Sequence, residues 1–332
     1  MNRAMEQMEK DPAAPLLAID GLSVHFPVRG GLPFARKKVE ALTDVSLTVN
    51  RGDTFGIVGE SGCGKSTLAN AILGLVEPQS GSIRFMGRDL LAMNRRDFRR
   101  ARLDMQLIFQ DPFSSLNPRF NVYQIISEPM RIKGGFTREE MEKRVVELLH
   151  QVGLSERDLC RYPSDFSGGQ KQRIGIARAI SLGPELLLCD EPVSALDVSV
   201  HAQILNLLAE LQGKLGMTYL FISHNLATVR NFCNAMAVMY LGNVMERGDA
   251  RAIFRDPRHP YTKALISAVL DVVPGAQSKR IILQGDIPSP IDPPRGCRFS
   301  GRCPQALAEC ATTKPPLVEV GKNHFAACIN MD

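Results

Sequence analysis

The sequence predicts an α/β fold: a mostly parallel sheet flanked by helices, with an antiparallel stretch before it and a small Cys-rich C-terminal extension after it. Three observations predict it. Dense apolar runs (DTFGIVG, ELLLCD, TYLFIS) alternate with segments whose apolar residues recur at helical spacing, the pattern of strands joined by helical crossovers, with ligands at the strands' C-terminal ends. Residues 16–58 alternate apolar and polar residues in short runs, which reads as antiparallel strands leading into one buried strand. From about Val272 onward Pro and Gly become frequent and helical periodicity fades.

Taken in order, LLAIDGLSVHF and VEALTDVSLTV are strands separated by the Gly/Pro/Arg-rich loop Val28 to Lys38. A Gly-rich turn at Gly59 to Gly64 passes into STLANAILGLV, a helix stopped by EPQSG. REEMEKRVVELLHQV at 138–152 is a second amphipathic helix and KQRIGIARAIS at 171–181 a third. ELLLCD is the next strand, HAQILNLLAELQGKLG a helix and TYLFIS another strand. The expected domain boundary lies near Pro274, giving a domain at 1–273 and a tail at 274–332. A tail so poor in regular structure calls for a staple.

At 332 residues, 44% of them hydrophobic and 23% charged, the composition is that of a soluble globular protein. No apolar run approaches the roughly 18 residues that cross a bilayer. The first residues, MNRAMEQMEKDPAAPL, lack the apolar stretch of a secretory signal, so the expectation is a chain that stays in the cytosol. A net charge of +5 is small for a nucleic-acid binder. Arg95, Arg96, Arg99, Arg100 and Arg102 form one local basic cluster, which reads as a solvated helix face or as a face for anionic lipid.

Gly59, Glu60, Ser61, Gly62, Cys63, Gly64, Lys65, Ser66 and Thr67 satisfy G-x-x-x-x-G-K-[ST] between a strand and a helix. Glycines let backbone N–H groups turn in around phosphates, and the helix N-terminus favours anions. Lys65 then supplies a charge to the β- and γ-phosphates of ATP, and Ser66 a hydroxyl to Mg²⁺. The strand LLLCDE delivers Asp190 to the Mg²⁺ shell and Glu191 to the attacking water. The core is therefore a P-loop NTPase, RecA-like in type.

Phe166-Ser167-Gly168-Gly169-Gln170, followed by KQR and lying just before ELLLCDEP, resembles the signature of ABC ATPases, with Phe where Leu is commonest. Gln110 in IFQDP looks like the Q-loop, Ser194-Ala195-Leu196-Asp197 the D-loop and His224 in ISHN the switch histidine. Phe26 is similar in placement to the aromatic that stacks on adenine, with His25 as the rival. The resemblance implies catalytic roles for Glu191, His224 and Gln110, Mg²⁺ held by Ser66, Gln110 and Asp190, and an α-helical signature subdomain at about 111–178. Ser167, Gly168, Gly169, Gln170 and Asp197 would serve the nucleotide of a partner subunit.

DPFSSLNPR, HPYTKALISAV at 259–269 and the terminal GCRFSGRCPQA look like the ATP-binding subunits of dipeptide and oligopeptide importers. The long loop before VEALTDVSL and the GCGKST variant look like the F-type member of a D/F pair. That resemblance implies a D-type second ATP-binding subunit, two transmembrane permease subunits, an extracytoplasmic peptide-binding protein and a peripheral place on the cytoplasmic face of the inner membrane. No nucleic-acid partner is expected, although a soluble ABC ATPase acting on nucleic acid is the rival class. Relatives that import nickel or other small solutes make those the alternative cargo.

In the tail, Cys297-x5-Cys303-x6-Cys310-x17-Cys328 offers four thiols in 32 residues. Spacing alone leaves tetrahedral Zn²⁺ and an iron–sulfur cluster open. Resemblance to the peptide-importer family implies a [4Fe–4S] cluster at these cysteines.

Overall fold

A computed structural model describes residues 14–28, 37–269 and 280–331. The expected boundary at Pro274 and most of the Val28 to Lys38 loop lie outside the described residues. In chain order the elements are β1 (Leu17–Pro27), β2 (Lys38–Val49), β3 (Thr54–Val58), α1 (Lys65–Ile72), β4 (Ser80–Phe85), β5 (Arg88–Asp89), α2 (Arg95–Ala101) and β6 (Met105–Ile108). There follow α3 (Pro112–Ser115), α4 (Val122–Lys133), α5 (Arg138–Gln151), α6 (Gly168–Ala179), β7 (Leu186–Asp190), α7 (Val198–Leu215) and β8 (Thr218–Ser223). The last are α8 (Leu226–Phe232), β9 (Ala235–Tyr240), β10 (Asn243–Asp249), α9 (Ala250–Arg255), α10 (Pro260–Ser267), β11 (Val318–Gly321) and β12 (His324–Ala326). Two compact units result: the chain up to Leu91 together with the chain from Ile222 onward, and the stretch Ala92–Phe221.

In the first unit, β2, β1, β4 and β5 form an antiparallel sheet in that order. Leu17, Ile19, Leu22 and Val24 of β1 are buried, the half-buried alternation expected of a strand with one face on a core. β3 behaves differently: all five residues are buried and it pairs parallel with β9, Phe55 opposite Ala235 and Val58 opposite Val238. A strand covered on both faces must be apolar throughout, which is why DTFGIVG reads as a continuous run. The tail joins this sheet. β12 pairs antiparallel with β10, and β11 with β12.

In the second unit β8, β7 and β6 lie in that order, with β6 and β7 parallel. Helices α2 to α7 belong to it as well. α5 begins with a reciprocal cap in which Thr137 accepts from the Glu140 N–H and Glu140 accepts from the Thr137 N–H. Of the basic cluster, Arg95, Arg96, Arg99 and Arg100 fall on α2, which Asn94 caps, and Arg102 is its C-cap; none of the five is buried. Among the described residues no helix is long and apolar enough to cross a membrane.

Two expectations shift in extent. The first helix ends at Ile72 rather than Val76, because Gly74 takes φ +63 and stops it. The third begins at Gly168, inside the signature itself, because Ser167 caps it.

Candidate nucleotide site

The phosphate loop is shaped by two glycines that no other residue could replace. Gly59 sits at φ +155, and a Cβ there would lie 2.2 Å from the Met239 carbonyl; Gly64 sits at φ +106, where a Cβ would lie 2.5 Å from the Ala41 carbonyl. Both conditions exclude a side chain. The loop is thereby pressed onto β9 and β2, and the Gly242 N–H donates to the Cys63 carbonyl at 2.9 Å. Gly64 is also the N-cap of α1, so the loop ends on a helix N-terminus with its first N–H groups unspent on the helix.

Lys65 is 6% exposed, and its Nζ donates to the Gly59 carbonyl at 2.7 Å and the Glu60 carbonyl at 3.1 Å. An ammonium held against loop carbonyls meets only partial charges; a phosphate in the loop would offer it full ones. Burial pushes the neighbouring Cys63 thiol up, against the opposing pull of Lys65. Ser66 is exposed on the first turn of α1, with Thr67 half-buried beside it, and Ser61 and Gly62 form the outer rim. His224 is exposed just beyond β8, where Asn225 caps α8. Phe26, 36% exposed, faces Val39 across the β1–β2 register. Its rival His25 is engaged, its Nδ1 lying 3.3 Å from Lys38 Nζ. Burial, then the Lys38 charge, lowers the His25 pKa.

The second unit carries the other residues. Gln110 Nε2 donates to Glu191 Oε2 at 3.2 Å, which leaves the Gln110 amide oxygen as its accepting end. Glu191 takes φ +46, a left-handed backbone that costs a non-glycine residue of order 1–3 kcal/mol and concentrates at functional sites. The following turn holds it there, with the Ser194 N–H at 3.2 Å and the Ser194 hydroxyl at 3.0 Å donating to the Glu191 carbonyl. Asp190 is half-exposed at the end of the otherwise buried β7. Within this unit Gln110 and Asp190 offer amide and carboxylate oxygens, and in the first unit Ser66 offers a hydroxyl, each a ligand type that suits Mg²⁺.

The signature is a helix cap. Ser167 Oγ accepts from the Gln170 N–H at 3.4 Å while Gln170 Oε1 accepts from the Ser167 N–H at 3.0 Å. A Cβ on Gly169 would lie 2.6 Å from Val200 Cγ1, and one on Gly168 would lie 3.3 Å from Leu196 and Phe113, so Gly169 makes room for the first turn of α7 and Gly168 for Leu196 just before it. The departure at Phe166 has a structural partner: its ring is buried and the Arg161 guanidinium stacks 4.3 Å from its centroid. Asp197 is exposed at the start of α7.

Sequence reasoning missed Gln172, 2% exposed, whose Nε2 donates to the Pro192 carbonyl at 2.8 Å and ties α6 to the turn after Glu191. The KQR that follows the signature was the available signal. It also missed Tyr261, whose hydroxyl accepts from the Glu60 N–H at 3.1 Å.

The iron–sulfur expectation is corrected. Among the described residues no three Cys, His, Asp or Glu side chains are set to hold a metal ion, which removes the [4Fe–4S] cluster and zinc alike from Cys297, Cys303, Cys310 and Cys328. The thiols have local partners instead: Leu307 N–H donates to Cys310 Sγ at 3.4 Å, and Cys328 Sγ–H donates to the Asn330 carbonyl at 3.0 Å. Burial pushes Cys297 up to about 11 and raises Cys303 and Cys328 as well. The staple is built differently. Phe299 packs on Tyr240 and Tyr261 with centroids 5.3 Å away in each case, Arg298 pairs with Glu40 at 2.5 Å, and β12 extends the sheet.

Comparison with known proteins follows the same outline. The ABC transporter family profile matches residues 42–194, and that of the oligopeptide/dipeptide transporter C-terminal region matches residues 245–310. The oligopeptide transport ATP-binding protein OppF of Haemophilus influenzae is 46% identical over 322 residues, covering 95% of this chain and 97% of the relative. OppF of Salmonella typhimurium is 46% identical over 338 residues, covering 100% and 99%. An ATP-binding cassette solved as a dimer with ADP and Pi in a post-hydrolysis state superposes with a TM-score of 0.63 at 28% identity, covering 71% of this chain and 99% of that one. The chain belongs to the ABC transporter family of ATPases, in its oligopeptide/dipeptide branch and among the F-type members of that branch.

Proposed function

We propose that this chain binds and hydrolyses ATP to power the import of dipeptides and oligopeptides through an ABC transporter. ATPase activity follows from the family. The peptide cargo is supported by the OppF relatives, whose alignment runs the length of both chains. The observation that carries the chemistry is Glu191, strained at φ +46 with Gln110 Nε2 on its carboxylate at 3.2 Å. A carboxylate held this way is placed to orient and deprotonate a water.

In this reading the backbone of Gly59 to Thr67 and the Lys65 ammonium hold the phosphates, and Phe26 meets the adenine. Ser66, Gln110 and Asp190 hold Mg²⁺, which would neutralise charge on the phosphates. His224 is the further polar group at the γ-phosphate. Ser167, Gly168, Gly169, Gln170 and Asp197 address the nucleotide bound by a D-type partner. The nucleotide-binding domain runs to residue 273 and the Cys-rich extension from 274. Two permease subunits and an extracytoplasmic binding protein complete the transporter, with this chain peripheral on the cytoplasmic face of the inner membrane.

The test is reconstitution in lipid vesicles with the permeases, the partner ATPase and the binding protein. ATP hydrolysis and labelled-oligopeptide uptake are expected to rise together when peptide-loaded binding protein is added. Stimulation by Ni²⁺ or another small solute, with none by peptide, would reassign the cargo.

A further inference from the structure

Glu60, the one acidic residue of the phosphate loop, is gripped by the C-terminal region at two points. Arg302 forks onto its carboxylate, Nη1 lying 2.7 Å from Oε2 and Nη2 3.3 Å from Oε1. That arginine ends the turn Ser300–Arg302 between Cys297 and Cys303; its side chain is 10% exposed and that of Glu60 25%. Nη1 also reaches the Tyr240 hydroxyl at 3.4 Å, and the guanidinium lies 5.8 Å from the Tyr240 ring centroid. On the backbone side, the Glu60 N–H donates to the Tyr261 hydroxyl at 3.1 Å. Tyr240 and Tyr261 stack edge to face at 4.8 Å, so both grips share one aromatic base with Phe299.

A carboxylate in a loop that receives a triphosphate is a like charge beside the ligand. Left to itself it would weaken binding, and more so for each added phosphate charge. A bidentate guanidinium cancels that charge and fixes its direction, which a single ammonium does not do. We propose that Arg302 is a positioning residue for nucleotide binding: by forking the Glu60 carboxylate it removes the acid's repulsion from the phosphate cradle, and so lets the C-terminal extension set ATP affinity. This rests on the reading of Gly59 to Thr67 as the phosphate cradle. The near-complete burial of the Arg302 side chain fits the role, since an exposed pair would be screened.

The experiment is titration of Mg²⁺–ATP and Mg²⁺–ADP against the full-length chain. Arg302→Ala is expected to weaken ATP about tenfold and ADP less, the order of effect for a close charge in a half-buried site. The double variant Arg302→Ala/Glu60→Gln should recover most of the loss, and Arg302→Lys should fall between wild type and Arg302→Ala. ATP affinity unchanged in Arg302→Ala would overturn the proposal. So would equal weakening of ATP and ADP with no recovery in the double variant, the result expected of a merely structural arginine. Should Arg302→Ala fail to fold, Arg302→Lys and the double variant carry the same comparison. Lys65→Ala separates the two levels: if its ATP affinity is that of wild type, the cradle reading fails, and if its affinity is lost while Arg302→Ala keeps wild-type affinity, only the role of Arg302 fails.

Discussion

The phosphate loop and the signature turn both end on a helix N-terminus, yet they are held in opposite ways. The loop is fixed within its own unit from several sides: Met239 and Ala41 carbonyls behind its glycines, Gly242 on Cys63, Tyr261 and Arg302 on Glu60, and Lys65 folded inward. The signature glycines are backed by Val200, Leu196 and Phe113, while Ser167 itself is exposed. A rigid cradle suits a ligand bound by the same chain; an exposed cap with free access to its N-terminus suits one presented by another chain.

The largest effect that would break this contrast is at Lys65. Lys65→Ala is expected to weaken ATP binding about 10²- to 10³-fold, the cost of removing a buried charge partner, whereas Ser167→Arg should leave binding by the isolated chain nearly unchanged and block turnover in the assembled transporter. Equal loss of binding in both variants, read by nucleotide titration, would abolish the distinction.

Next in size is the pH response of the unit behind the loop. His259 is buried and caps α10, its Nδ1 accepting from the Tyr261 N–H at 3.1 Å. Burial lowers its pKa from 6.5 to about 4, with Glu246 opposing and Lys263 assisting. Between pH 6.5 and 4 the unfolded chain binds a proton that the folded chain refuses, so stability falls as pH drops through that window, by at most about 3 kcal/mol. Thermal melts from pH 7 to 5 should show a falling Tm. His259→Asn, which keeps a capping side chain, should flatten the slope; an undiminished slope would place its origin elsewhere.

The smallest effect belongs to the signature. Phe166→Leu restores the commoner residue but loses the Arg161 stack, and should cost less than about 1 kcal/mol with ATP binding unchanged. A loss of several kcal/mol in denaturant unfolding would mean that the turn is braced as firmly as the loop.

The contrast also marks what could be read from the sequence. Gly59 to Thr67 was legible because strand, Gly-rich turn and helix are local and carry their own pattern. Gln110 and Glu191 were legible as motifs, but their contact joins positions 81 residues apart and only the fold reveals it. β12 was missed because HFA is three residues long, too short for a period, and exists as a strand through pairing with β10. The cysteines misled for a related reason. Four thiols crowded in sequence invite a metal, whereas what holds the tail is Phe299 among tyrosines and two arginines on distant glutamates, Glu40 and Glu60, partners that no local spacing announces.

We assign ATP binding to the cradle and hydrolysis to a separate carboxylate, Glu191. Glu191→Gln tests it most directly, with ATP retention and phosphate release measured in the same preparation of the paired ATPase subunits. Gln keeps the volume but accepts no proton, so hydrolysis should fall about 10²- to 10⁴-fold while ATP stays bound and the pair stays closed. Normal turnover at saturating ATP would contradict the assignment and move the base to another residue, His224 first.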